Sequence, residues 1–138
     1  MPDKNKIQVT LPELTHAEEE VMQILWKLNK GFVNDLMEHF PEPRPAYNTI
    51  STVIRILEKK GFVGHKAFGK THQYFPRISK EGYSRQLMGT VVKGYFDNSY
   101  RKLVSFFTGG EQLTMKEMED IRKIIDEQIE LKKANGHE

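Results

Sequence analysis

The sequence contains no cysteine, so disulfide staples, thiolate metal sites and thiol nucleophiles are all excluded. It has no apolar run approaching the roughly 20 residues that a membrane-spanning helix needs. Its start, MPDKNKIQVT, lacks the apolar stretch of a signal peptide, so a soluble, cytoplasmic protein with no membrane insertion is expected. No Ser/His/Asp set, glycine-rich phosphate loop or metal-ligand cluster stands out, so neither catalysis nor a cofactor nor a resident metal is expected. Length sets a further limit. The 138 residues suffice for one modest domain, or a small domain plus an association element, but not for two full-sized domains.

The formal net charge of +2 becomes informative only when it is divided along the chain. Residues 1–43 hold four Lys and Arg against eight Asp and Glu, residues 44–77 hold seven against one, and residues 78–138 hold ten of each. The positive field is therefore local, and a local basic patch attracts a polyanion in a way the small overall charge does not suggest. His65 and His72 lie in this patch and can add to it below neutral pH.

Thr15-His-Ala-Glu18 is a capping-box pattern, and Ala17, Val21, Ile24, Leu25 and Leu28 then recur at helical spacing, which predicts a helix over about 16–29. Val33, Leu36, Met37 and Phe40 mark a short second helix, interrupted by PEPRP at 41–45, where proline removes backbone donors. A third helix is expected from about Ala46, with Ile50, Val53, Ile54 and Leu57 as its buried stripe and Gly61 as its left-handed stop. FVGHKAF and THQYF, joined around Gly69-Lys70 and closed by Pro76, then read as a hairpin.

Helix, short helix, helix, hairpin is the order of a winged helix-turn-helix, assigned to residues 1–78. From Ser79 onward, residues 79–138 are read as a helical dimerisation domain. Tyr83, Leu87, Val91, Tyr95, Phe96, Tyr100, Leu103, Val104 and Phe107 recur mostly at helical spacing, but Gly89 and Gly94 weaken the middle, so one helix and two helices meeting near 93 are equally expected. Thr108-Gly-Gly110 ends that pattern, and a second capping box, Thr114-Met-Lys-Glu117, opens a last helix to about Lys133. The fold class expected is thus mainly α with a small β-hairpin wing.

On the third helix, Asn48, Thr49, Ser51, Thr52 and Arg55 lie away from the apolar stripe. Arg can pair with guanine, Asn with adenine, and a threonine methyl can touch thymine. Tyr47 adds a hydroxyl near a helix start whose free N–H groups favour phosphate, while Arg44 and the wing residues Lys66, Lys70, Thr71 and Tyr74 are candidates for flanking contacts. A polar helix face alone is weak, since every surface helix has one; the basic hairpin directly after it is what favours DNA. His65 and His72 invite a metal reading, but two ligands without nearby carboxylates or thiols make a poor site. Trp26, Met22 and Met37 read as core, and Glu18-Glu-Glu20 as acids complementing a helix dipole. The apolar positions Leu103, Met118, Ile121, Ile125 and Ile129 need covering, most simply by a second copy of the chain, which would set two recognition helices about 34 to 36 Å apart on DNA. Two other readings of the residues stay open: a winged-helix module that binds an acidic protein, and a repressor that senses a ligand through Tyr95, Phe96, Tyr100, Phe106 and Phe107.

LTHAEEEVMQILWK at 14–27, YNTISTVIRILEKKGFV at 47–63, GKTHQYFP at 69–76 and, more loosely, LVSFFTGGEQLTMKEMEDIRKIID at 103–126 resemble the penicillinase repressor family of bacterial transcriptional repressors. The resemblance implies a homodimer with a winged-helix amino domain and an interlocking helical carboxy domain, bound to operators ahead of β-lactamase or related resistance genes. It also implies inactivation by a membrane sensor metalloprotease system that causes a cut in the carboxy-terminal helices, here near Phe106-Phe107. The chain departs from the family pattern at Phe106, where the best-studied members have Asn, and at Ile56, a position often basic in relatives. It lacks the cysteine-rich tail of the copper-responsive branch, so copper sensing is not expected.

Overall fold

A computed structural model describes residues 11–136; the start MPDKNKIQVT, read for a missing signal peptide, lies outside the described residues. The elements follow in the order α1 (His16–Leu28), α2 (Val33–Met37), α3 (Tyr47–Lys59), β1 (Val63–Phe68), β2 (Thr71–Pro76), α4 (Lys80–Tyr95), α5 (Tyr100–Gly109) and α6 (Met115–Ala134). Among the described residues no helix is long and apolar enough to cross a membrane. The protein is mainly helical with a two-stranded antiparallel wing, the winged helix-turn-helix order. Two compact units divide between Met88 and Gly89, inside α4.

Local chemistry starts and stops the helices of the first unit. Thr15 Oγ1 accepts from the Glu18 N–H at 3.2 Å, and Glu18 Oε1 accepts from the Thr15 N–H at 2.9 Å, so the capping box forms as its spacing predicts. α3 ends in a Schellman motif: the Phe62 N–H bonds the Leu57 carbonyl at 2.9 Å, the Gly61 N–H bonds the Glu58 carbonyl at 3.1 Å, and Gly61 takes φ of 92°. The hairpin turns on Gly69, at φ of 66°, and Lys70, the pattern of a type II′ turn. Its register pairs Val63 with Pro76 through to Phe68 with Thr71.

One core joins these pieces. Val21, Met22 and Leu25 of α1, Val33 and Leu36 of α2, and Ile50, Ile54 and Leu57 of α3 meet Phe62, Val63, Tyr74 and Tyr83. Val53, expected in the buried stripe, and Trp26 and Met37, expected as core, are half-buried against this cluster; the Trp26 indole donates to the Ile78 carbonyl at 2.8 Å. Ala17 is exposed. A backbone pair, Gly31 N–H to Tyr74 carbonyl at 2.9 Å and Tyr74 N–H to Gly31 carbonyl at 2.8 Å, fastens the α1–α2 turn to β2.

The break after α4 is not where glycine suggests. α4 runs through Gly89 and Gly94 and ends at Asp97 and Asn98, whose φ angles are 53° and 59°; aspartate and asparagine are among the few non-glycine residues that tolerate this region. Ser99 then caps α5, accepting from the Lys102 N–H at 3.1 Å. In the second unit Val92 is buried and the Phe96 and Phe106 rings lie 5.4 Å apart. Thr114 and Glu117 close the expected capping box of α6.

Glu18 has a further role beyond complementing the helix dipole. Its carboxylate is buried and receives Lys60 Nζ at 2.9 and 2.8 Å, joining the start of α1 to the end of α3. Burial alone would raise its pKa, but the Lys60 and Thr15 bonds outweigh this and hold it below 4.5. Because the folded value is the lower one, the pair stabilises fully above the unfolded value and its contribution is lost as pH falls through the folded value. Lys60→Met, which strands the carboxylate, should cost about 2 kcal/mol at neutral pH, read as a lower urea midpoint by Trp26 fluorescence. The deficit should shrink as pH falls below 4.5; a deficit constant with pH would contradict this assignment.

Candidate nucleic-acid interface

Burying Ile50, Ile54 and Leu57 turns the other side of α3 outward. Asn48, Thr49, Thr52 and Arg55 are exposed and Ser51 is half-exposed, while Tyr47 is 46% exposed. Ala46, the residue before α3, makes no side-chain capping bond; the Thr49 N–H bonds the Ala46 carbonyl at 3.0 Å, which leaves the Tyr47 and Asn48 N–H groups at the positive dipole end without a side-chain cap. Arg55 is anchored only weakly, with Nη2 3.5 Å from Thr52 Oγ1.

A groove of about 510 Å³ gathers Tyr47, Ser51 and Arg55 of α3 with Lys70, Thr71, His72 and Tyr74 of the wing and the Phe32–Asp35 stretch at the start of α2. Tyr47, Ser51 and Arg55 are one helical turn apart in succession, which is why one wall of the groove carries all three. Six of the residues singled out in the sequence as DNA contacts, and His72 of the basic patch, therefore meet here. Asn48, Thr49 and Thr52 occupy the exposed face of α3 outside the groove lining. Arg44 precedes α3 and lies 3.7 Å from the Glu42 carboxylate. Lys66 projects from the opposite side of the hairpin, since strand side chains alternate, with its ammonium 5.4 Å from the centre of the Phe68 ring.

Tyr74 differs from its expected place. The sequence places it among the wing residues that support DNA contact; it is 5% exposed and packs in the core. Burial first, and then the Glu58 carboxylate, push its phenol above the ordinary value of 10.0, so it supports the groove from beneath. Ile56, by contrast, is 41% exposed.

Three contributors escaped sequence reasoning. Phe32 and Asp35 form the entry to α2, with Asp35 Oδ2 accepting from the Phe32 N–H at 2.9 Å, and Phe32 packs edge-on to Phe68 at 5.7 Å, which braces the wing tip. Glu58 is the third: its Oε2 lies 2.6 Å from Nδ1 of His65, so a carboxylate does stand beside the wing histidines. Nothing in the spacing of these residues announces that α2 and the wing face one another. His65 and His72 stack face to face instead of converging on a point, and no group of three or more His, Cys, Asp or Glu able to hold a metal occurs among the described residues.

A polar, cationic helix face beside a basic wing is the arrangement with which small domains enter a DNA groove, and residues 14–127 match the penicillinase repressor family. The chain belongs to the penicillinase repressor family. That family consists of DNA-binding transcriptional repressors and not of enzymes. The methicillin resistance regulatory protein MecI of Mammaliicoccus sciuri is 29% identical over 115 residues, which cover 83% of this chain and 94% of the relative. The penicillinase repressor of Bacillus licheniformis is 25% identical over 124 residues, covering 89% of this chain and 97% of the relative. The solution structure of the DNA binding domain of the repressor BlaI is 28% identical, covers 55% of this chain and 94% of that one, and superposes with a TM-score of 0.47.

Among the positions expected to associate, Leu103, Met118 and Ile121 are half-buried, and Ile125 and Ile129 are 45% and 44% exposed. Phe106 is exposed and Phe107 half-buried, and the bond between them lies within α5.

Proposed function

We propose that the chain represses transcription as a homodimer on a palindromic operator, with α3 in the major groove and the wing on flanking phosphates, and that it controls β-lactamase or related resistance genes. The observation that carries this reading is the single groove shared by Arg55, Ser51, Lys70 and Thr71. On this reading Asn48, Thr49, Ser51, Thr52 and Arg55, inside the groove and on the α3 face beside it, read bases, while Arg44, Tyr47, Lys66, Lys70 and Thr71 hold the backbone, with Tyr74 supporting from below. The names of the relatives, a methicillin resistance regulator and a penicillinase repressor, support the choice of target genes.

Dimerisation is supported by the apolar side chains that the second unit leaves uncovered, among them Met115, Ile124, Ile125, Ile129 and Leu131 on α6. Tyr95, Tyr100 and Phe106 are likewise exposed on the single chain, which fits a protein–protein contact better than a ligand pocket. Repression is relieved when a membrane sensor metalloprotease system causes a cut near Phe106-Phe107. Because that bond is helical, α5 must unwind before a protease can hold it in an extended form.

Arg55→Ala should weaken binding to the gene's own upstream region by about 10-fold or more and to unrelated DNA far less, measured by gel shift; equal losses would remove its base-reading role. With about six phosphates neutralised per dimer, the logarithmic salt slope should be about −5. If no sequence is preferred at any salt, an acidic protein partner becomes the better reading. Ile125→Glu with Ile129→Glu should give a monomer by sedimentation equilibrium and abolish tight operator binding; an unchanged dimer would place the interface elsewhere. After β-lactam exposure the chain should shorten on an immunoblot as repression lifts, and derepression with the chain intact would exclude the proteolytic step.

A further inference from the structure

Two imidazoles on the wing are not among the residues proposed above to read bases. His65 on β1 and His72 on β2 stack with ring centroids 4.0 Å apart and planes 6° from parallel. The register makes them diagonal neighbours, since His65 pairs with Tyr74 and Ala67 with His72, and strand alternation turns them to the same side of the hairpin. That side faces the groove, which His72 lines together with Arg55 and Lys70.

The charges around the pair are unequal. From α3 come Glu58, whose carboxylate lies 2.6 Å from Nδ1 of His65, the Arg55 guanidinium and the Tyr47 phenol. From α2 comes Asp35, whose carboxylate is engaged by the Phe32 N–H, and from the hairpin itself come Lys70, the Tyr74 phenol and, on its other side, Lys66. Glu58 is the carboxylate that touches an imidazole, and it can offset one positive charge. Two imidazolium rings in this stack repel each other, and the cations Arg55 and Lys70 oppose the second charge further. A phosphate entering the groove supplies the missing anion.

We propose that the His65–His72 stack, held by Glu58, is a proton-dependent phosphate contact, so that DNA binding takes up a proton in each protomer. This rests on the DNA-binding reading of the groove. Phosphate attracts the charged imidazole, so an anion in the groove and a proton on the pair favour one another. The added affinity is therefore greatest on the acid side and falls as the pH rises. Lys and Arg stay charged throughout this range and contribute no such dependence.

The test is fluorescence anisotropy of the full chain on a mixed-sequence DNA duplex at low salt, because a phosphate contact carries no sequence information. Between about pH 6 and about pH 8, the span over which histidine changes charge, wild-type affinity should fall at least about 10-fold. His72→Gln should remove most of that fall, because glutamine carries no titrating charge in this range. Calorimetry near neutrality in two buffers of different ionisation enthalpy should show proton uptake by wild type and little by His72→Gln. His72 is exposed, so the variant's urea midpoint by Trp26 fluorescence should be unchanged. A wild-type affinity equal at both pH values, or a His72→Gln variant that keeps the full dependence, overturns the proton-linked contact and leaves DNA binding standing. Failure to bind any duplex at either pH overturns both.

Discussion

Ile50, Ile54 and Leu57, each at most 2% exposed, set the roll of α3 about its own axis, and everything the outer face of α3 can touch depends on that roll. Each fully buried side chain of this size is worth about 1.5 to 3 kcal/mol, against about 1 kcal/mol net for a typical hydrogen bond. No rearrangement of the polar side chains on the outer face can compete with that term. The apolar stripe therefore decides which polar residues meet a ligand, although it never meets one itself.

The wing is held to this helix by independent devices on both strands. The backbone pair between Gly31 and Tyr74 ties β2 to the α1–α2 turn, the Tyr74 ring enters the core, and Glu58 reaches from α3 to His65 on β1. Phe32 against Phe68 steadies the tip. A groove whose walls are fixed before a ligand arrives needs less ordering on binding. Glu58 costs attraction for a polyanion, but it orients the His65 ring through the 2.6 Å contact to Nδ1.

Much of this was legible in the residues. The two Thr-x-x-Glu capping boxes form as written, the α3 stripe and its glycine stop fall where the spacing puts them, and the hairpin closes around Gly69-Lys70. What was not legible has two physical origins. One is pairing between residues far apart: Glu18 and Lys60 are separated by 42 positions, and the sequence does not say that a first-turn acid will meet a cation at the end of another helix. The other is competition between local rules. Gly89 and Gly94 lower helix propensity, yet α4 continues through both, and the Asp97-Asn98 pair with Ser99 behind it provides the stop and the next cap. Tyr74 shows the same limit on a strand, where a hairpin residue with a hydroxyl reads equally well as contact or as core.

One α3 spans only a few base pairs, and specificity on a genome needs two of them at a fixed spacing; under the proposed homodimer, the uncovered apolar residues of α6 and the polar face of α3 serve one purpose. The outer face of α3 and the wing strand β2 are proposed as the DNA-contacting surface. Amide chemical shifts of the nitrogen-15-labelled full chain, followed during titration with a duplex from the gene's own upstream region, test it most directly. The largest shifts should fall on residues 47–55 and 70–72; shifts confined to α1 or to the helices after Gly89, with α3 and β2 unmoved at saturation, would contradict it.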